Sequence, residues 1–116
     1  MDITKDKLPD ADLMLCRDCL IHLSNLSIKK FIQNFKNSKI KYLLLTSYET
    51  KKDDLGFKNK DIQDGDFRSI NLLKPPFRLP NPLLKILDRD HKDKNHSSLC
   101  YLYMYSKDQL INLYLD

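Results

Sequence analysis

The chain has 116 residues, with 20 Lys and Arg against 16 Asp and Glu, for a formal net charge of +4. That length allows one domain or part of a larger one, big enough to bury roughly two thirds of its unfolded surface. The lysines are scattered, broken by Asp53 and Asp54 and free of interleaved aromatics, which argues against a nucleic-acid footprint. No run of about 18 apolar residues exists, so no membrane span is expected. The start, "MDITKDKLPDADL", has no apolar signal core, and the expected compartment is the cytoplasm. Cys16, Cys19 and Cys100 do not read as a disulfide framework there, and one would be left over. Gly56 and Gly65 are the only glycines. Neither a dinucleotide fingerprint nor a P-loop can be written with two.

In chain order, "DLML" (12–15) is a short continuous apolar run after the turn-forming "LPDA", as in a buried strand of a parallel sheet. Ser24 is a candidate N-cap. Ile28, Phe31, Ile32 and Phe35 then fall on one face of a helix. "KYLLLTSY" (41–48) reads as a second buried strand, which completes a βαβ unit with an expected right-handed crossover. Residues 49–81 show no period, yet Phe57, Phe67, Ile70, Leu72 and Phe77 predict an ordered, packed loop. "LLKILD" (83–88) and "LCYLYMY" (99–105) predict a hairpin across a polar tip that carries His91 and His96. Ser106 opens a capping box, S-K-D-Q, into a short helix ending near Tyr114. The fold class is α/β, with a parallel βαβ followed by an antiparallel hairpin. Strand 12–16 is too apolar for a comfortable sheet edge.

Three readings compete for Cys16, Cys19 and His22. The C-x2-C-x2-H spacing is too tight for a usual structural zinc site, and His91, His96 or Cys100 as a fourth ligand matches no known knuckle. A redox C-x-x-C between strand and helix resembles the thioredoxin layout, but Arg17 and Asp18 fill its middle and the segment directly after Cys19 is apolar and not visibly capped. The third reading puts Cys16, Arg17 and Asp18 at the carboxyl end of a parallel strand, where open α/β sheets bind ligands, with His22 facing the same crevice. The plain alternatives are two small half-buried thiols and a satisfied structural histidine.

"DITKDKLPDADLMLCRDCLIHLS" resembles the middle of class I (Rossmann-like) S-adenosylmethionine-dependent methyltransferases. Their pattern there is an Asp after the third strand, then "LP", a fourth strand of the form D-L-hydrophobic-hydrophobic, a polar rim residue and "L-x-H-L". "KYLLLTSY" is similar to the fifth strand and the hairpin to the sixth and seventh, while "NKDIQDGDFRSINLLKPPFRLP" resembles the loop after the fifth strand in one subgroup. The resemblance implies that Asp2 reaches the adenine amino group and Ile3 packs on the ring. It puts Cys16 and Arg17 beside the methionine part of S-adenosylmethionine. It turns Asp18 and His22 toward the substrate as candidate catalytic residues, His22 as base or orienting group. Asn59, Asp61, Arg68 and Asn71 would belong to a substrate loop. "KPPF" (74–77) follows the wrong strand, and begins with the wrong residue, for the amine-binding motif of nucleic-acid methylating enzymes. It reads as a rigid turn with an anchoring Phe77.

The first strand, the glycine-rich turn and the ribose-binding acid of the family would all precede Asp2. The implied protein is thus a truncated, methyltransferase-like domain beginning at the fourth strand, with an incomplete cofactor site and no activity alone. Its parent would methylate a small-molecule acceptor. A second copy would cover strand 12–16, giving a homo-oligomer. The alternatives are a non-enzymatic interaction module and a C-x-x-C thiol oxidoreductase.

Overall fold

In the computed structural model, residues 1–50, 56–88 and 98–113 are described. β1 is Leu13–Cys16, and a single 3-10 turn at Leu20–His22 leads into helix α1, Asn25–Lys36. β2 is Tyr42–Thr50, β3 is Leu84–Leu87 and β4 is Ser98–Ser106, which runs into a one-turn helix α2, Lys107–Leu110. The strands form one mixed sheet in the order β1-β2-β4-β3. β1 lies parallel to β2, Cys16 opposite Leu45, while β4 runs antiparallel to both β2 and β3. The α/β class is as the pattern of elements predicts.

α1 forms where the 3.6-residue spacing places it. Ser24 caps it by accepting from the Ser27 N–H, and Ile28, Phe31, Ile32 and Phe35 are all buried. Ser106 makes the capping box with Gln109 in both directions. α2 nevertheless stops at Leu110, with Ile111 as C-cap, short of the expected end near Tyr114, which lies outside the described residues. One turn is enough to bury Leu110, its only buried residue.

β1 is not the fully buried strand its composition suggests. Cys16 is buried, but Leu13 and Leu15 are 47% and 57% exposed. The cause is one-sided cover. By strand alternation Cys16, Leu43, Leu45, Tyr103 and Tyr105 share one face. They belong to the same buried core as the apolar side of α1 and the loop residues Ile70, Leu72, Phe77 and Leu79. The opposite face carries Leu13, Leu15, Leu84 and Ile86, all exposed, with Leu44, Leu102 and Met104 partly so. β3 is exposed along its whole length.

The long loop is packed, as its aromatics predict. Beyond the end of β1 it takes over the edge of β2: the Tyr48 N–H donates to the Ile70 carbonyl and the Leu72 N–H to the Ser47 hydroxyl. Phe77, in the "KPPF" turn, is buried. No helix among the described residues is long and apolar enough to cross a membrane.

Candidate functional site

The carboxyl ends of β1, β2 and β3 lie on one rim, because those three strands run the same way. Charged residues emerge there as soon as β1 ends. Arg17 reaches from the end of β1 to Asp88 at the end of β3, with Nε–Oδ2 2.8 Å and Nη2–Oδ1 2.9 Å. This bidentate pair spans the two strands between, where Tyr48 and Cys100 stand opposite each other. The Asp88 side chain is only 5% exposed.

Asp18 adopts φ 57°, the left-handed region, and its N–H donates to the Thr46 hydroxyl at 2.8 Å. Asp tolerates this conformation better than most residues, but it still costs free energy, and such outliers cluster at ligand sites. Thr46, Tyr48 and Cys100 are buried beneath this rim although the rest of their sheet face is open. Burial raises the Tyr48 hydroxyl to about 12, helped by Cys100 and Asp18; burial and then Asp88 raise the Cys100 thiol to about 11. Both stay protonated at neutral pH.

The left-handed turn at Asp18 lies between Cys16 and Cys19, and the two thiols act on each other's ionisation. Cys16 is buried and Cys19 half-buried. The interaction with Cys16 lowers the Cys19 thiol to about 7, His22 adding to it, whereas Cys16 is raised by the same interaction and by burial.

His22 is exposed at the end of the 3-10 turn. Its Nδ1 lies 2.9 Å from the Asp66 carbonyl, which only accepts, so Nδ1 carries the proton and, in the neutral ring, Nε2 is the basic nitrogen. Phe67, 59% exposed, packs on the imidazole at 5.9 Å between centroids. An open depression of about 650 Å³ adjoins, lined by Lys60, Asp61, Ile62, Gln63, Asp66 and Phe67. Asp18 and His22 thus leave one turn in different directions, Asp18 toward Thr46 and Tyr48, His22 toward the loop.

The four loop residues are engaged with backbone. Asn59 is a clamp, its Nδ2 donating to the Asn71, Lys74 and Pro75 carbonyls while its Oδ1 accepts from the Asn71 N–H. The Asn71 side chain accepts from the Leu73 N–H. Arg68, buried, donates to the carbonyls of Lys60 and Leu20 and to Asn25 Oδ1; desolvation lowers its pKa. Asp61 accepts from the Asn25 N–H. Asp64, which the sequence reading passed over, accepts from the Ser24 N–H and the Ser27 hydroxyl. Two loop carboxylates therefore cap α1, whose own first turn has no acid. That missing acid was the available signal.

Asp2 closes a turn at the start of the chain, accepting from the Thr4 N–H and hydroxyl, and its carboxyl is lowered by those bonds. Ile3 packs against the core and its carbonyl accepts from Asn34. Among the described residues no three His, Cys, Asp or Glu side chains converge as metal ligands; His91 and His96 lie outside those residues. Compared with known protein families, with curated proteins and with solved structures, the chain matches none.

Proposed function

We propose that the chain is the carboxyl-terminal part of an S-adenosylmethionine-dependent methyltransferase-like domain, lacking the glycine-rich cofactor loop and inactive by itself. The observation that carries this reading is the strand order. β4 runs reversed between β2 and β3, which are parallel to each other and, through β2, to β1. The resemblance assigns these four strands, in chain order, to the fourth to seventh of a Rossmann-like methyltransferase sheet, a parallel pair followed by an antiparallel hairpin. The open apolar face fits it too, since among the described residues no second layer covers it as an α/β sheet requires.

The residues present suit part of a cofactor site. Cys16 and Arg17 sit at the carboxyl rim, Arg17 oriented by Asp88. Asp2 would exchange its Thr4 bonds for the adenine amino group, with Ile3 against the ring. When bound, S-adenosylmethionine supplies a methyl group on a sulfonium. The chain's own task is positioning: Asp18, its N–H held by Thr46, shapes the rim, and His22 Nε2, on the loop side of the same turn, takes the proton of a small-molecule acceptor where the nucleophile carries one. Asn59, Asp61, Arg68 and Asn71 hold the loop that forms the wall beside His22. The compartment is the cytoplasm, in keeping with three free cysteines. Among the described residues β1 pairs only with β2, so a second copy or further chain covers its outer edge.

A non-enzymatic interaction module is the second reading, favoured by the same open face. The in-frame DNA upstream of the Met1 codon separates them. An open frame encoding a glycine-rich strand–turn–helix is the expected result; a stop codon directly upstream favours the module.

A further inference from the structure

The two thiols at the end of β1 are placed for chemistry that methyl transfer does not use. The left-handed Asp18 puts a sharp turn between Cys16 and Cys19, three residues apart, and both thiols lie at the end of β1. Cys16 is sealed in the core while Cys19 is partly open to solvent. Cys100 is set apart by its hydrogen bond to Tyr48. One accessible thiol backed by one buried thiol is the arrangement of an attacking and a resolving cysteine.

We propose that Cys16 and Cys19 form a reversible disulfide that closes a ring around Arg17 and Asp18 and so makes the rim respond to small-molecule disulfides of the glutathione type. The Cys19 thiolate attacks one sulfur of the oxidant, the S–S bond breaks and one glutathione thiolate leaves. Cys16 then attacks the Cys19 sulfur of the mixed disulfide and expels the second glutathione, its proton passing to that leaving thiolate. Two protein thiols are oxidised, and one small disulfide is reduced to two thiols. The lowered Cys19 thiol favours the first step at neutral pH. Because the ring contains Asp18, whose N–H binds Thr46, closure is felt at the opposite strand.

The test is intact-mass spectrometry of the purified chain after excess oxidised glutathione, with alkylation of the remaining thiols in denaturant. Wild type and Cys100→Ser are expected to lose two hydrogens and to keep Cys16 and Cys19 blocked until dithiothreitol is added. Cys16→Ser should stop with one glutathione on Cys19, and Cys19→Ser should take up none at Cys16. In parallel, the amide NMR signals of Asp18 and Thr46 should move on oxidation and return on reduction. A wild type that keeps all thiols alkylatable, or that stays as a stable glutathione adduct, overturns the disulfide. Unmoved Asp18 and Thr46 signals in the oxidised protein overturn its action on the rim.

Discussion

The two faces of the sheet make opposite use of the same kind of residue. On the face in the α1 core, Leu43, Leu45, Tyr103 and Tyr105 are fully buried. On the other, Leu13, Leu15, Leu84 and Ile86 stay 43–57% exposed. These four aliphatic side chains lie on the two edge strands, with the partly buried Leu44, Leu102 and Met104 between them. Among the described residues the carboxyl end of this face is closed by the polar group of Arg17, Asp18, Thr46 and Asp88. The apolar core thus lies on one side of the sheet, and the polar rim group on the other.

Substitutions on the two faces should therefore differ sharply. Phe35→Ala, in the closed core, is expected to cost about 3–5 kcal/mol, read from urea unfolding, enough to unfold a marginal domain. Arg17→Ala removes the partner of the nearly buried Asp88; with Arg17 itself partly solvated, the loss should be about 1–2 kcal/mol. Ser24→Ala should cost about 1 kcal/mol by uncapping α1. Asp64→Asn probes the same helix end through pH. The Ser24 N–H and the Ser27 hydroxyl hold the Asp64 carboxyl below its ordinary value. A carboxyl lowered by folding stabilises above its unfolded pKa, about 4, and that contribution fades as pH falls through the folded value. The stability difference between wild type and Asp64→Asn should thus be full at neutral pH and vanish in strong acid. Leu15→Ala, on the open face, should have the smallest effect, under about 1 kcal/mol in dilute protein. A Leu15 loss as large as that of Phe35 would mean the face is already covered, and the contrast between the faces would collapse.

Much of this architecture was legible in the sequence because it is local. The helical spacing from Ile28 to Phe35, the Ser24 and Ser106 caps and the four strand cores depend on neighbours within a few residues. What escaped is set by distant contacts. Nothing in "LCYLYMY" says that β4 pairs with β2 as well as β3, since strand order depends on long-range pairing. The half-exposure of β1 depends on what covers each face, which a continuous apolar run does not encode. At the site, the charged residues after β1 were visible as a rim, but their partners Thr46 and Asp88 lie 28 and 71 residues away. The loop polar residues read as substrate contacts were equally visible; their work on backbone groups, and the trans-capping by Asp61 and Asp64, appears only in three dimensions.

In the proposed function the Arg17–Asp18 rim is part of an S-adenosylmethionine site completed by further chain. The most direct measurement is equilibrium dialysis of S-adenosylhomocysteine against the protein made from the complete open reading frame around this sequence. Saturable binding that Arg17→Ala weakens, and that His22→Ala leaves in place, is the result predicted here. No saturable binding by that full product would contradict the account.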